Sequence, residues 1–303
     1  MNILPQQLFS QAKKESNFQK IIQFPLFRII LAIIFIFPSI ICFNLIYKNI
    51  EPRWTTYIGD LAAIFIISLY IYCYFLYVKY IERRSCLELS YQNSVFETGI
   101  GFAISMILVI LTTLLIFIKG SFNIVNTNPY SYIIHAFFIF ALLAFVEELI
   151  FRGILLRLFE EFFGTWISII IVASLFSLIH LLHEKATLMS IFAIALQDII
   201  LSGAFILTRR VWLCWGIHWG WNFTQDGILG MPNSGVELLP SWFNSEISGP
   251  VWLTGGDIGI ELSVLGVLLN IIIGIILIII SIKRKKILQP IWRRSLEFSP
   301  NEG

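Results

Sequence analysis

The sequence predicts an all-α, polytopic membrane protein, a bundle of about eight transmembrane helices with the N- and C-termini cytoplasmic. Hydrophobic residues make up 57% of the chain and charged residues only 13%, against about a quarter charged in ordinary soluble domains. The mean hydropathy is +0.83, and a soluble fold would lack the polar surface to cover so much apolar area. We therefore expect a multi-pass protein of the cell membrane, with the lipid bilayer rather than nucleic acid as its partner.

The spans follow from apolar runs that are long enough to cross a bilayer, about 17–25 residues each. Residues 1–23 are polar and basic, and no small-residue cleavage site follows the first run, so it is expected to be a retained helix. The fourth span is expected to continue as helix up to a break at Gly164. The candidate spans are residues 24–47, 58–79, 98–118, 131–151, 164–182, 188–208, 211–229 and 259–282.

The distribution of charge sets the orientation. A cytoplasmic N-terminus puts most of the 21 Lys and Arg residues on the cytoplasmic side, as the positive-inside rule requires. An even number of spans with both termini inside is the simplest fit. The four cysteines are scattered and predict neither a disulfide framework nor a cysteine-ligated metal.

Three regions are expected along the chain. Residues 1–130 hold an N-terminal cytoplasmic segment and three scaffold helices, and residues 231–303 hold an outer loop, the last helix and a basic tail. Residues 131–230 form the working core, because ionisable residues at membrane depth mark sites and here they cluster in spans four to seven. The outer loop, 231–258, could cap a cavity or be an interfacial loop with aromatic anchors, and its composition favours the second.

The stretch F-V-E-E-L-I-F-R-G places three ionisable side chains on the fourth span. Glu148 and Arg152 are four residues apart and share a helix face, in the favoured orientation for an ion pair. Glu147 points about 100° away and has no local partner. The pattern favours a structural pair plus one carboxylate available as a general base, although a single salt-bridged cluster that fixes helix packing remains an alternative.

Two further motifs supply compatible groups. Phe176 and His180 are four residues apart on span five, and His218 and Asn222 are four apart on span seven. A carboxylate, two imidazoles and an amide are the parts needed to activate water and stabilise an oxyanion. The depth of these groups in the membrane presents one difficulty. Glu147 lies about three turns from the cytoplasmic end of its extended helix, whereas His180 falls late in its span, so the two side chains are not obviously at the same depth.

Together, E-E-x-x-x-R, F-x-x-x-H and H-x-x-x-N occur in order on successive membrane helices and resemble the three signature motifs of the CPBP family. That family comprises the type II CAAX prenyl endopeptidases and bacterial relatives linked to bacteriocin processing and self-immunity. The resemblance covers residues 131–230. It implies an intramembrane endopeptidase that cuts a peptide bond near the membrane-associated end of a protein or peptide, with a membrane-tethered peptide or lipidated protein as substrate.

The resemblance also implies roles for individual residues. Glu147 would activate water with the help of His180, and His218 and Asn222 would stabilise the oxyanion. Glu148, Arg152 and Phe176 would support the site. If zinc is present, Glu147, His180 and His218 could bind it. Because Asn222 is a poor zinc ligand but a good oxyanion donor, a mechanism without metal or other cofactor is preferred.

Other groups and functions remain open. Asp198 and Asp226 could support the site or serve packing, and Asp226 is the better candidate because it shares the helix face of Asn222. A non-enzymatic immunity factor or membrane assembly factor on the same scaffold is the main alternative function. A transporter is less favoured, because many transporter folds contain internal repeats and this sequence has none. The motifs do not identify the substrate.

Overall fold

The computed structural model describes residues 3–10, 16–50, 57–237 and 239–297, and these residues are largely helical. Wider π-helical turns continue three of the helices, at Val78–Glu82, Leu149–Leu156 and Phe223–Ile228. The helices are α1 (Asn17–Ile22), α2 (Pro25–Ile50), α3 (Tyr57–Tyr77), α4 (Ser94–Ile118), α5 (Ser131–Glu148), α6 (Arg157–Ile179), α7 (Leu188–Thr208), α8 (Val211–Asn222), α9 (Val251–Thr254), α10 (Val264–Lys283) and α11 (Ile291–Glu297).

The predicted all-α, multi-pass membrane fold is confirmed. Among the described residues, six helical stretches are long and apolar enough to cross a membrane: Pro25–Ile46, Tyr57–Glu82, Ser94–Ile118, Ser131–Leu182, Leu188–Thr208 and Val264–Lys283. The sequence predicts eight spans because it divides the 52-residue stretch Ser131–Leu182 in two and counts α8 with its π-helical turn as another. Parts of both expected cytoplasmic ends, residues 1–2, 11–15 and 298–303, lie outside the described residues, as do residues 51–56 between the first two spans.

The stretch Ser131–Leu182 is a hairpin that reverses at Gly164. This residue lies inside the range of α6, which is therefore made of two helical segments joined at a sharp turn. Phe151 and Phe176 are 25 residues apart in sequence, which a straight helix would turn into roughly 37 Å, yet their ring centroids are 5.0 Å apart. The reversal occurs where Gly164 adopts φ 73° and ψ 174°, a region that essentially only glycine occupies. The chain after α10 holds this turn, because Thr165 donates its backbone N–H to the Leu288 carbonyl at 3.0 Å.

The hairpin resolves the difficulty of depth. Glu147 precedes Gly164 by 17 residues and His180 follows it by 16. Both arms are helical over nearly all of this length, so each side chain lies about 25 Å from the turn at 1.5 Å per residue. The equal arms therefore bring the first and second motifs to the same height.

Replacing Gly164 with Ala is expected to lower the free energy of unfolding by at least about 1–3 kcal/mol, the cost of a strained backbone conformation. The new Cβ would lie 2.6 Å from Pro290 N and 2.8 Å from Leu288 O, so the tail must also move. Gly99 is the matched control, since a Cβ there meets nothing within 4 Å, and Gly99→Ala, in the second turn of α4, should be neutral or stabilising. Thermal unfolding of both variants in detergent micelles tests this, and equal transition temperatures would contradict it.

Helix α8 is fixed between α4 and α5. The indole N–H groups of Trp215 and Trp219 donate to the carbonyls of Ala141 and Phe137 at 2.8 and 2.9 Å. On the α4 side, a Cβ at Gly101 would lie 2.8 Å from Ile217 N. Such close backbone approach is the usual role of small residues in membrane helix packing. These contacts set the rotation of α8, and with it the direction of His218.

The outer segments contain structure that the sequence analysis did not predict. Strand β1 (Phe122–Thr127) pairs antiparallel with β2 (Phe243–Ile247) and ties the segment after α4 to the long outer loop. Helix α10 packs against α7, where a Cβ at Gly203 would lie 3.1 Å from Gly274 O. Asn270 on α10 also donates to the Gln197 side chain on α7 at 3.1 Å. The last helix is therefore an integral part of the core region.

Candidate active site

The residues of the three motifs meet at one cavity of about 390 Å³. Its wall contains Glu147 from α5, His180 from the end of α6, and His218 and Asn222 from α8. All four side chains predicted to be catalytic are thus brought together from three separate helices. The remaining lining residues are Leu143, Phe176, His183, Ile194, Gln197, Asp198, Ile200, Leu201, Ile217, Trp221, Asn233, Ser234, Val236, Glu261 and Asn270.

Glu147 is the most accessible acid of the first motif. Its side chain is 34% exposed and its Oε2 lies 3.8 Å from His218 Nε2, which is too long for a hydrogen bond. Among the described residues no hydrogen bond engages its carboxylate. Glu147 is thus separated from the ion pair beside it, as the helical repeat predicts, and it lines the cavity.

Glu148 and Arg152 form the expected pair, with Arg152 Nη1 donating to Glu148 Oε1 at 3.0 Å, and both side chains are fully buried. The pair belongs to a larger cluster that the sequence did not reveal. Arg152 Nη2 also donates to Asp198 on α7, and the Ser202 hydroxyl donates to the other Asp198 oxygen at 2.7 Å. One guanidinium therefore links two buried carboxylates from different helices.

Both imidazoles are oriented through Nδ1. His218 donates from Nδ1 to Glu148 Oε1 at 2.8 Å, and His180 donates from Nδ1 to the Phe176 carbonyl at 2.8 Å. A carbonyl or carboxylate oxygen can only accept, so the proton is on Nδ1 in each ring. Each Nε2 is consequently the atom available for chemistry, and Glu148 has a positioning role towards His218 beyond its pairing with Arg152.

The Phe176 ring packs between the functional groups. Its centroid is 5.1 Å from that of His180 and 6.0 Å from that of His218. The Arg152 guanidinium carbon lies 5.0 Å from the same ring, a cation–π distance.

Asn222 differs from the two histidines, because its amide forms no hydrogen bond within the described ranges. Its N–H groups are therefore available to the cavity.

The three residues that could bind zinc are Glu147, His180 and His218. Nδ1 anchoring of a histidine by a carboxylate or carbonyl is common in metal sites, so the two rings are suitable as ligands by chemistry. Across the described part of the chain, however, no three His, Cys, Asp or Glu side chains are close enough together to hold a metal ion. As placed, the side chains of Glu147, His180 and His218 do not fit a zinc site.

The first part of the outer loop contributes to the cavity, as the capping interpretation of residues 231–258 allowed. Asn233, Ser234 and Val236 line the wall, and we call residues 231–237 the cap. His183 donates from Nδ1 to the Ser234 carbonyl at 2.8 Å. Composition could not reveal this, because the contact joins the cap to a turn some fifty residues away in the sequence.

Two acidic residues differ from the sequence-based expectations. Asp198 lines the cavity and Asp226 is not among its lining residues. The chain after Asn222 continues as the π-helical turn Phe223–Ile228, so a spacing of four no longer defines one face. Glu261, in the turn just before α10, was not singled out by the sequence analysis although it lines the cavity. Its position at the start of the candidate span 259–282, where acidic residues often mark the membrane boundary, gave no signal of burial.

The comparisons with known proteins agree with the motifs. Residues 129–224 match the family model described as Rce1-like, type II CAAX prenyl endopeptidase Rce1-like. The matched segment contains all three motifs and confirms the family that they indicated for this part of the chain. No curated protein and no solved structure matches the chain.

Proposed function

We propose that this chain, whose residues 129–224 match the Rce1-like endopeptidase family, is an intramembrane endopeptidase that hydrolyses a peptide bond near the membrane-associated end of its substrate. One observation supports this most strongly: Glu147, His180, His218 and Asn222 line a single cavity. The substrate class is a membrane-tethered peptide or lipidated protein, because the cavity is built from helices of a multi-pass membrane protein.

Glu147 is the proposed general base. Its carboxylate takes a proton from a water molecule as the water oxygen attacks the scissile carbonyl carbon, and His180 Nε2 orients that water. As the tetrahedral intermediate collapses and the C–N bond breaks, Glu147 returns the proton to the leaving nitrogen. Water and the peptide are thereby converted to a carboxyl and an amine group. General-base catalysis of this kind contributes typically about 10²–10⁴-fold.

His218 and Asn222 are the proposed oxyanion donors. The cluster behind His218 contains two carboxylates, Glu148 and Asp198, and one guanidinium, Arg152. A protonated His218, bonded to Glu148 at 2.8 Å, would balance the surplus negative charge, which is expensive to bury unpaired. Such a ring would donate from Nε2 into the cavity beside the Asn222 amide, where the oxyanion develops.

Asn222→Ala is expected to lower kcat by about 10²–10³-fold, the usual cost of removing one oxyanion donor, with little change in KM. The side chain makes no hydrogen bond to the rest of the described structure, so folding should be preserved. Asn128→Ala is a useful comparison, since its amide bonds to Ser241 and Asn244 near the sheet and does not line the cavity. Steady-state kinetics on a membrane-tethered peptide separates kcat from KM, and an unchanged kcat for Asn222→Ala would contradict the role.

A further inference from the structure

The cavity wall contains a second carboxylate that the proposed mechanism does not use. Glu261 lies in the turn Ile260–Leu262, immediately before α10. The residue is 6% exposed, and its side chain is part of the wall of the same cavity as Glu147 and the two histidines. It is therefore deeply buried and adjacent to the space that a substrate would enter.

The partners of Glu261 are all neutral. Gln225 Nε2 donates to Oε2 at 2.8 Å, and the backbone N–H of Ser234 in the cap donates to Oε1 at 3.2 Å. Within the described structure no Lys, Arg or His forms an ion pair with it. Buried carboxylates are almost always paired with a cation. Burial outweighs the two hydrogen bonds and raises the pKa of Glu261 to about 7.

The charged residues of the cavity wall also favour a cationic group in the substrate. Among the residues that the structure describes, the wall contains three carboxylates, on Glu147, Asp198 and Glu261, but no lysine or arginine. Asp198 is neutralised by its ion pair with Arg152. Glu147 lies 3.8 Å from His218, which is protonated in the proposed mechanism. Among the described residues, Glu261 is therefore the carboxylate of the wall without a cationic neighbour, and an ionised carboxylate attracts a group of the opposite charge.

We propose that Glu261 is a specificity-determining residue that binds a lysine or arginine side chain of the substrate close to the scissile bond. This inference rests on the proposed function and adds the chemical class of the substrate to it. The incoming cation would supply the partner that Glu261 lacks. Because Glu261 also accepts from Ser234, it would couple recognition of the basic side chain to the position of the cap.

The test uses pairs of membrane-tethered peptides that differ only in lysine or norleucine, placed in turn at each of the three positions on either side of the cleaved bond. Norleucine matches the aliphatic stem of lysine without its charge. The purified full-length protein in liposomes should cleave the lysine peptide at one position with a kcat/KM at least tenfold higher. In Glu261→Gln this ratio should fall to about one, with cleavage of the norleucine peptide retained.

The ratio is measured within each variant, so a general effect of the substitution on the cap or on folding cancels. Glu237→Gln is the matched control, since Glu237 is an exposed carboxylate of the cap that does not line the cavity, and it should keep the lysine preference. Glu261→Asp, which retains the charge, should keep part of it. Cleavage without lysine preference in the wild type, or a preference unchanged in Glu261→Gln, overturns the inference alone. No cleavage of any peptide by the wild type overturns the proposed function as well.

Discussion

Glu147→Gln is expected to reduce hydrolysis of a membrane-tethered peptide by about 10²–10⁴-fold, the contribution of a general base. Glutamine has the shape of glutamate but cannot take a proton from water. The Glu147 side chain is partly exposed to the cavity and lies 3.8 Å from its nearest charged partner, so the exchange should leave the fold intact. Cleavage assays on purified protein in liposomes, with folding checked by thermal unfolding, measure the effect.

Glu184→Gln provides the matched control for that experiment. Glu184 lies in the exposed turn after α6, four residues from His180, and is not part of the cavity wall. It should retain wild-type cleavage. Full activity in Glu147→Gln would exclude Glu147 as the base. If, in addition, a cellular phenotype of the wild type survived both Glu147→Gln and His180→Ala, the non-enzymatic immunity or assembly role would be the better explanation.

Arg152→Met is expected to have the largest effect on stability, lowering the free energy of unfolding by about 3–5 kcal/mol, as loss of one partner from a buried ion pair does. Arg152 is fully buried between Glu148 and Asp198, so its removal leaves two carboxylates without their guanidinium. Thermal unfolding in detergent should show a clear loss of stability. Arg284→Met, at an exposed arginine after α10, should unfold like the wild type.

A second substitution tests whether the lost stability comes from the unpaired carboxylate of Asp198. Glu148 keeps a neighbour that can carry positive charge, His218, whereas the remaining partner of Asp198 is the Ser202 hydroxyl. Asp198→Asn in the Arg152→Met background should therefore recover part of the lost stability, because it removes the carboxylate for which the described residues provide no other cation. If the double variant were less stable than Arg152→Met alone, the lost stability could not be assigned to an unpaired Asp198.

Sequence patterns predicted the features of this protein that depend on local periodicity. Hydropathy identified the membrane helices, and the break at Gly164 followed from a glycine at the end of an amphipathic stretch. The spacing of four predicted the pair of Glu148 and Arg152, because neighbours on one helix face are set by the helical repeat. The same rule separated Glu147 from that pair.

Features that depend on contacts between distant segments could not be predicted in this way. The bond from His218 to Glu148 joins α8 to α5, and the one from Ser234 to Glu261 joins the cap to the turn before α10. Neither has a signature in one sequence. Asp226 was expected on the helix face of Asn222 but is not among the residues that line the cavity, because a π-helical turn changes the helical repeat after Asn222.

In the proposed mechanism, the cavity hydrolyses a peptide bond with water activated by Glu147. The most direct measurement incubates the wild type and Glu147→Gln, each in liposomes, with membrane peptides extracted from cells that carry Glu147→Gln, in water enriched in ¹⁸O. Mass spectrometry should find shortened peptides whose new carboxyl group contains ¹⁸O with the wild type, and the intact precursors with Glu147→Gln. Identical peptides in both samples, or wild-type products without the label, would contradict the claim.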